Sequence, residues 1–207
     1  NGVVVFGDDL LDGEGTTVGQ DYLRVLHELD IGPVERLFEF CAGPGYIGFM
    51  LLASGYCRNL CLADINPQAV EAQTRTIEHN NLEGLVSTHV SDVFSDIPET
   101  EKWDLVVSNP PHFLPRWEGE IPADPRDELA IAKVKDRYRQ AGLLKARDPD
   151  WAIHRRFYAG VKRFMKPGGL VVMQENAKAF TNGMAQEDEF VDMIRGGGGE
   201  YLGRQPG

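Results

Sequence analysis

The residues with the clearest chemical potential in this chain are Asn109-Pro110-Pro111-His112. They close an apolar run, Trp103-Asp104-Leu105-Val106-Val107-Ser108, that reads as a strand. Each proline holds φ at about −65° and brings no backbone N–H, and each pushes the preceding residue toward an extended conformation. Such a turn sets the Asn109 side chain and the Pro110 carbonyl in a fixed relation, both as hydrogen-bond acceptors. Two acceptors converging at a strand's carboxyl end suit a planar N–H₂ group, which they hold by its hydrogens while its nitrogen is aimed. Taken alone, the same four residues also fit a plain strand-terminating turn in which Asn109 is a local cap.

The elements that must position this turn alternate. A short strand is expected over 3–6, a glycine-rich turn over 7–19 and a helix over 20–30, ended by Gly32-Pro33. Strands follow over 34–40, 59–65, 85–90 and 104–108. Between them lie a helix over 47–54 and another from Pro67 to Asn80, for which Asn66 is the N-cap and Pro67 the first helical residue. A helix over 151–165, a turn over 166–169, a strand over 170–174 and a helix over 187–195 complete the pattern. Alternation at this spacing predicts an α/β fold, a mostly parallel sheet with helices on both faces. Ligands of such sheets bind at the carboxyl ends of the strands. Four chemically suggestive places fall there: 39–45, Asp64, Asp92 and Asn109.

Composition narrows the partners. The chain has 207 residues, 42% hydrophobic and 26% charged, which suits one globular domain with a real core. Its net charge of −11 is a poor match for DNA, RNA or an anionic membrane. No apolar run approaches the ~20 residues of a membrane span, and the chain shows no signal peptide, although it starts at Asn1 rather than Met. Cys41, Cys57 and Cys61 are odd in number and lie in apolar surroundings, which reads as buried free thiols in a cytoplasmic protein. No histidine stands at ligand spacing beside them, so no metal site is expected.

A cofactor is expected. Gly43-Pro44-Gly45-Tyr46-Ile47-Gly48 fits G-x-G-x-x-G between a strand and a helix, where glycine permits a tight turn and close approach of a ligand. Asp64 follows Gly45 by nineteen residues at the end of the next strand, where a carboxylate accepts from ribose hydroxyls. Asp92 ends the third strand, where a carboxylate accepts from an adenine amino group. A dinucleotide and S-adenosylmethionine both fit that much. Glu39, four positions before Gly43, favours the second, because a carboxylate there suits an ammonium and opposes a pyrophosphate.

From Glu39 to Gly45 the sequence resembles the first motif of class I S-adenosylmethionine-dependent methyltransferases, with Cys41 in the place of the first glycine. Leu62-Ala63-Asp64-Ile65-Asn66-Pro67 resembles their ribose-binding second motif, and Ser91-Asp92-Val93-Phe94 their adenine-contacting third. Residues 104–112 resemble the fourth, the Asn-Pro-Pro-aromatic motif of amino-group methyltransferases. The resemblance covers 38–175. It implies a Rossmann-like sheet of strand order 3-2-1-4-5-7-6, with the cofactor held by Glu39, Cys41, Gly43, Gly45, Asp64, Ile65, Asp92, Val93 and Asn109. Asn109, Pro110, Pro111 and His112 would form the catalytic turn, with His112 stacked on a flat substrate.

Two branches share the fourth motif. Release-factor glutamine methyltransferases usually carry Tyr where His112 stands. Ribosomal RNA guanine-N2 methyltransferases place Phe and then His after the prolines, the reverse of His112-Phe113. The segment from Phe6-Gly7-Asp8 to Gly19 also resembles one that precedes the cofactor site in the RNA branch. The reaction implied is methyl transfer to a planar amide or amino nitrogen, with a protein glutamine favoured. RNA guanine-N2 or small-molecule amine methylation is the alternative, and a non-catalytic cofactor-binding partner subunit a further one. One domain is expected over 1–207, with 1–30 as an N-terminal extension and 113–149, rich in proline and charge, as an inserted segment that is lid-like because it leaves from the catalytic turn. A helix is expected within it over 128–144. The C-terminal hairpin of this fold is expected to be incomplete, with 200–202 beginning its first strand.

Overall fold

A computed structural model of the chain describes residues 2–7, 15–114, 147–149, 151–175 and 187–204. Helix α1 (Gly15–Glu28) leads into β1 (Val34–Phe40), α2 (Tyr46–Ala53), β2 (Cys57–Asp64), α3 (Pro67–Asn80), β3 (Val86–Val90) and β4 (Trp103–Ser108). Two short strands follow, β5 (His112–Leu114) and β6 (Arg147–Pro149), then α4 (Ala152–Val161), a 3₁₀ turn (Lys162–Phe164), β7 (Met165–Met173) and α5 (Glu187–Gly196). The main sheet has five strands in the order β3-β2-β1-β4-β7, every pair parallel. Strand order reverses at β1, so the crevice between β1 and β4 is the switch point at which such sheets bind ligands.

Side chains of β1 alternate between two cores, as a strand covered on both faces requires. Phe38 and Phe40 enter an aromatic layer with Phe94, Trp103, Phe157 and Phe164, and Leu37 enters the opposite layer with Tyr22, Leu26, Phe49, Leu60 and Leu105. Phe38 and Trp103 stack with centroids 3.9 Å apart. This dense floor fixes the ends of β1 and β4, from which both functional turns leave. Helix α3 begins as its sequence predicts, with the Asn66 side chain accepting from Gln68 N–H at 3.0 Å and Pro67 in the first turn.

Several expectations are corrected. Residues 3–6 pair with no strand; Asn80 and Thr76 of α3 hold Val4 and Phe6 by their backbone groups instead. The Asn80 amide and the Thr76 hydroxyl thus do the work that a sheet ladder would have done. Helix α1 starts at Gly15, inside the expected turn, because Tyr22 and Leu26 bury its apolar face and offset the low helix propensity of its glycines. The turn at 166–169 lies inside β7 as an irregularity: Trp103 pairs with Met165 and Leu105 with Leu170. Residues 200–202 form no strand. The helix expected over 128–144 lies outside the described residues, but the ends of its segment are placed: β5 pairs in parallel with β6. Among the described residues no helix is long and apolar enough to cross a membrane.

Candidate functional site

The cofactor turn is built on left-handed backbone. Cys41, Gly43 and Gly45 have φ of 52°, 51° and 86°. Glycine adopts this region freely, whereas a side chain there costs roughly 1–2 kcal/mol, so Cys41 is strained. A Cβ on Gly45 would also meet Phe49 at 2.9 Å. Neighbouring groups hold the turn in this shape. Gly43 N–H donates to Asp64 Oδ2 at 2.7 Å, and Asn66 N–H donates to Asp64 Oδ1 at 2.9 Å. Asp64 therefore braces the turn with lone pairs left on each oxygen for hydroxyl donors.

Glu39 lies beneath the turn, 2% exposed, with Gly48 N–H donating to its Oε2 at 2.7 Å. Burial, partly countered by the N–H groups of Gly48 and Ile47, pushes its carboxyl up to about 8. Its second role is steric, because a Cβ on Gly48 would meet Glu39 Oε2 at 2.7 Å. Ser91 N–H donates to the Asp64 carbonyl at 2.9 Å, which sets the second and third motifs side by side. There Ile65 is 65% exposed, an apolar face open to a planar ring. Val93 is buried with a φ of 57°. Asp92 is exposed, and Arg156 of α4 donates to its Oδ2 at 2.7 Å, a partner the sequence did not suggest.

The acceptor turn begins one residue beyond β4. Ser108 pairs with Phe40 across the switch point, and its hydroxyl donates to the Phe40 carbonyl at 2.5 Å. Cofactor turn and acceptor turn are thereby tied together at their roots. The Ser108 carbonyl accepts from Tyr22 O–H and from Gln174 N–H, the latter at 2.9 Å. Gln174 N–H also donates to Tyr22 Oη at 3.0 Å. Burial drives the Tyr22 phenol far above its ordinary range, so it stays a neutral donor. Asn109 Oδ1 is buried and receives no hydrogen bond from the described residues. An unpaired buried acceptor costs about 1–3 kcal/mol, so the described residues leave Asn109 Oδ1 as an acceptor beside the cofactor turn with its hydrogen bond still to be made. Pro110 is buried and Pro111 half-buried. His112 opens β5, paired with Arg147; its ring lies outside the described side chains.

A second group of residues carries no sequence motif and comes together only in the fold. His154 is fully buried between two carboxylates, with Nδ1 on Asp148 and Nε2 on Glu175. Burial alone would lower its pKa, but the hydrogen bonds to Asp148 and Glu175 and their charge raise it to about 9. Asp148 also caps α4, accepting from Ile153 N–H at 2.8 Å and His154 N–H at 3.0 Å. Trp151, buried with a left-handed φ of 59°, makes the sharp entry into that helix. The cluster docks β6, the return from 115–146, onto the end of β7 beside the acceptor turn. No motif announces it, because its three members are 6 and 21 residues apart.

The cysteines are free, and burial pushes the thiols of Cys57 and Cys61 up to about 12. The fold brings His89 and Glu101 to Cys61, with ligand-type atoms within 4.8 Å of one another. Glu101 there is already spent: Arg36 donates to both its oxygens, at 2.7 and 3.1 Å, and Trp103 Nε1 to one of them.

The model of the "Methyltransferase small domain" family matches residues 4–116, from the N-terminal arm through the acceptor turn. The chain belongs to that family. Among its relatives, a release factor glutamine methyltransferase of Clostridium acetobutylicum is 29% identical over 151 residues, 72% of this chain and 50% of that protein. A ribosomal RNA small subunit methyltransferase C of Actinobacillus pleuropneumoniae is 36% identical over 110 residues, 53% of this chain and 31% of that protein. The chain thus spans half the length of the first relative and less than a third of the second. TrmN from Thermus thermophilus shares the fold, with a TM-score of 0.50 at 15% identity over 82% of this chain and 40% of that one. Family membership and the four motifs assign S-adenosylmethionine as the cofactor, and the residues fit it: a glycine turn shaped for close approach, a bracing Asp64, an open Ile65 face and an unpaired Asn109 Oδ1 at the switch point.

Proposed function

We propose that this chain is the catalytic core of an N-methyltransferase whose acceptor is the side-chain amide of a protein glutamine. The observation that carries the reading is Asn109 Oδ1, buried and without a donor among the described residues, one residue from the Ser108–Phe40 tie to the cofactor turn. Bound S-adenosylmethionine supplies a methyl group on a sulfonium leaving group. Glu39, Cys41, Gly43, Gly45, Asp64, Ile65, Asp92 and Val93 would hold it. The chain's own work is then orientation and charge stabilisation. Asn109 Oδ1 and the Pro110 carbonyl accept the two N–H bonds of the acceptor and hold its nitrogen in line with the methyl group. As the C–N bond forms, positive charge grows on nitrogen, its N–H bonds become more acidic, and both hydrogen bonds strengthen. One of those protons then leaves to solvent. His112 is assigned the stacking role its motif implies.

The glutamine acceptor is supported by the acidic chain, whose net charge of −11 opposes an RNA backbone, and by the relative that covers most of it. Tritiated S-adenosylmethionine incubated with this protein and three acceptor pools, proteins, ribosomal RNA and small amines, tests it. Label on a glutamine side chain is the expected result. Label on guanine moves the acceptor to RNA, and label on an amine moves it to a small molecule. Cofactor binding with no label in any pool would make the chain a partner subunit.

A further inference from the structure

We propose that Gln73 is a positioning residue for the cofactor: from inside α3 it grips the Gly43 carbonyl and keeps the left-handed turn at 41–45 in its binding shape before any ligand arrives. The inference rests on the assignment of S-adenosylmethionine to this turn.

Helix α3 buries one face through Ala69, Ala72, Gln73, Thr76 and Ile77. Gln73 is its anomaly, a long amide with 0% exposure on a stripe where an apolar side chain would pack at no polar cost. Glutamine is rarely buried outright unless both ends of its amide are paired. Here both are. Nε2 donates to the Gly43 carbonyl at 2.5 Å, and Oε1 accepts from the Thr88 hydroxyl on β3. The orientation follows from the partners, because a carbonyl can only accept.

The other side of the same residue is also held, since Gly43 N–H donates to Asp64. Gly43 is thus gripped through both its polar groups, N–H by β2 and C=O by α3. It is also the centre of the three left-handed positions, flanked by the strained Cys41. A turn that stores strain at Cys41 relaxes unless its surroundings over-determine it. Gln73 and Asp64 supply that constraint, and Gln73 is the one whose side chain has no place in the binding surface. Its effect on the ligand must therefore pass through the shape of the turn. Glu39, expected to face the cofactor's ammonium, lies beneath the turn, so the amino-acid portion is the part expected to feel the turn's shape.

Calorimetry with two probes tests this, S-adenosylhomocysteine and 5′-methylthioadenosine, the second lacking the amino-acid portion. Gln73→Met keeps the volume and removes both hydrogen bonds; Thr88→Val removes only the one on Oε1. Gln73→Met is expected to weaken S-adenosylhomocysteine about 10-fold, the scale of one lost buried hydrogen bond, and 5′-methylthioadenosine by at most about 3-fold. Thr88→Val is expected to change either probe by at most about 3-fold. Wild-type-like affinity in Gln73→Met overturns the proposal, and so does an equal loss of both probes, the mark of general damage. If Gln73→Met does not fold, hydrogen exchange on the wild-type protein decides. Protection of the Gly43 and Gly45 amides without ligand supports a pre-set turn, whereas protection that appears only with S-adenosylhomocysteine overturns it. Failure of the cofactor assignment reads differently: the wild-type protein would bind neither probe.

Discussion

The turns on the two sides of the switch point are held in opposite ways. In the cofactor turn the anchoring bonds are internal: Gly43 is gripped by Asp64 and Gln73, and Gly48 by Glu39. In the acceptor turn the backbone is anchored, through Ser108 with Tyr22, Gln174 and Phe40, while the Asn109 side-chain oxygen is not held by the described residues. Among the described residues Asn109 Oδ1 has no donor. A surface that must bind the same molecule in every cycle gains from being finished in advance. On the proposed reading, the Asn109 hydrogen bond strengthens in the transition state, and such an acceptor cannot be spent on the protein itself. The contrast also separates binding from chemistry, and substitutions on the two sides should fail differently.

The largest effect is expected behind the acceptor turn. His154→Gln removes the imidazolium held between buried Asp148 and half-buried Glu175 and should lower stability by about 3 kcal/mol at pH 6, read by urea unfolding. The folded-state pKa of about 9 lies above the ordinary 6.5, so this contribution is fully present below about 6.5 and fades as pH rises through 9. Wild type and variant should therefore converge toward pH 10, and a gap independent of pH would show that the imidazolium charge plays no part.

Next comes the acceptor itself. Asn109→Ala should cut methyl transfer by about 100-fold, the scale of a lost transition-state hydrogen bond, with S-adenosylhomocysteine affinity nearly unchanged. Asn109→Asp keeps an acceptor and should retain more activity than Ala. Equal, wild-type rates in both variants would reduce the turn to a structural one.

The cofactor side should fail by affinity. Asp64→Ala removes the brace on Gly43 and Asn66 together with the proposed ribose acceptor, and should weaken S-adenosylhomocysteine by about 1–3 kcal/mol in calorimetry. A variant that binds normally but transfers slowly would place Asp64 on the wrong side of the comparison.

The smallest change should be a gain. Cys41→Gly relieves a left-handed side chain at the cost of a freer unfolded chain, for a net stabilisation of about 0.5–1 kcal/mol by thermal unfolding. Loss of stability instead would mean that the Cys41 contacts outweigh its strain.

Much of the cofactor side was legible because its determinants are local. Glycines 43, 45 and 48 follow a strand within a few residues, and Asn66-Pro67 starts a helix by its own capping chemistry. The parallel sheet followed from the alternation of strand and helix, and its five strands take the implied order as far as they go. Less legible were features whose partners are far apart in sequence. The arm at 3–6 has a strand's composition, yet it is held by the Asn80 amide and the Thr76 hydroxyl of α3 and by no strand edge. Glu39 was expected to face an ammonium; what the fold shows is its carboxyl bracing Gly48. Gln73 carried a faint signal, a long amide on an apolar helical stripe.

By itself, the sequence determined the order of elements, the cofactor turn and the proline-framed acceptor turn, since each is specified by backbone preference and short-range spacing. Tertiary structure alone decided which side chains are spent and which are left over. Asp148, His154 and Glu175 become one buried cluster, and Tyr22 meets Ser108 across 86 residues, only once the sheet has brought the ends of its strands together. A hydrogen-bonding group has no fixed value until its neighbours are known. That is why the open oxygen of Asn109 could be suspected from four residues but established only in the folded chain.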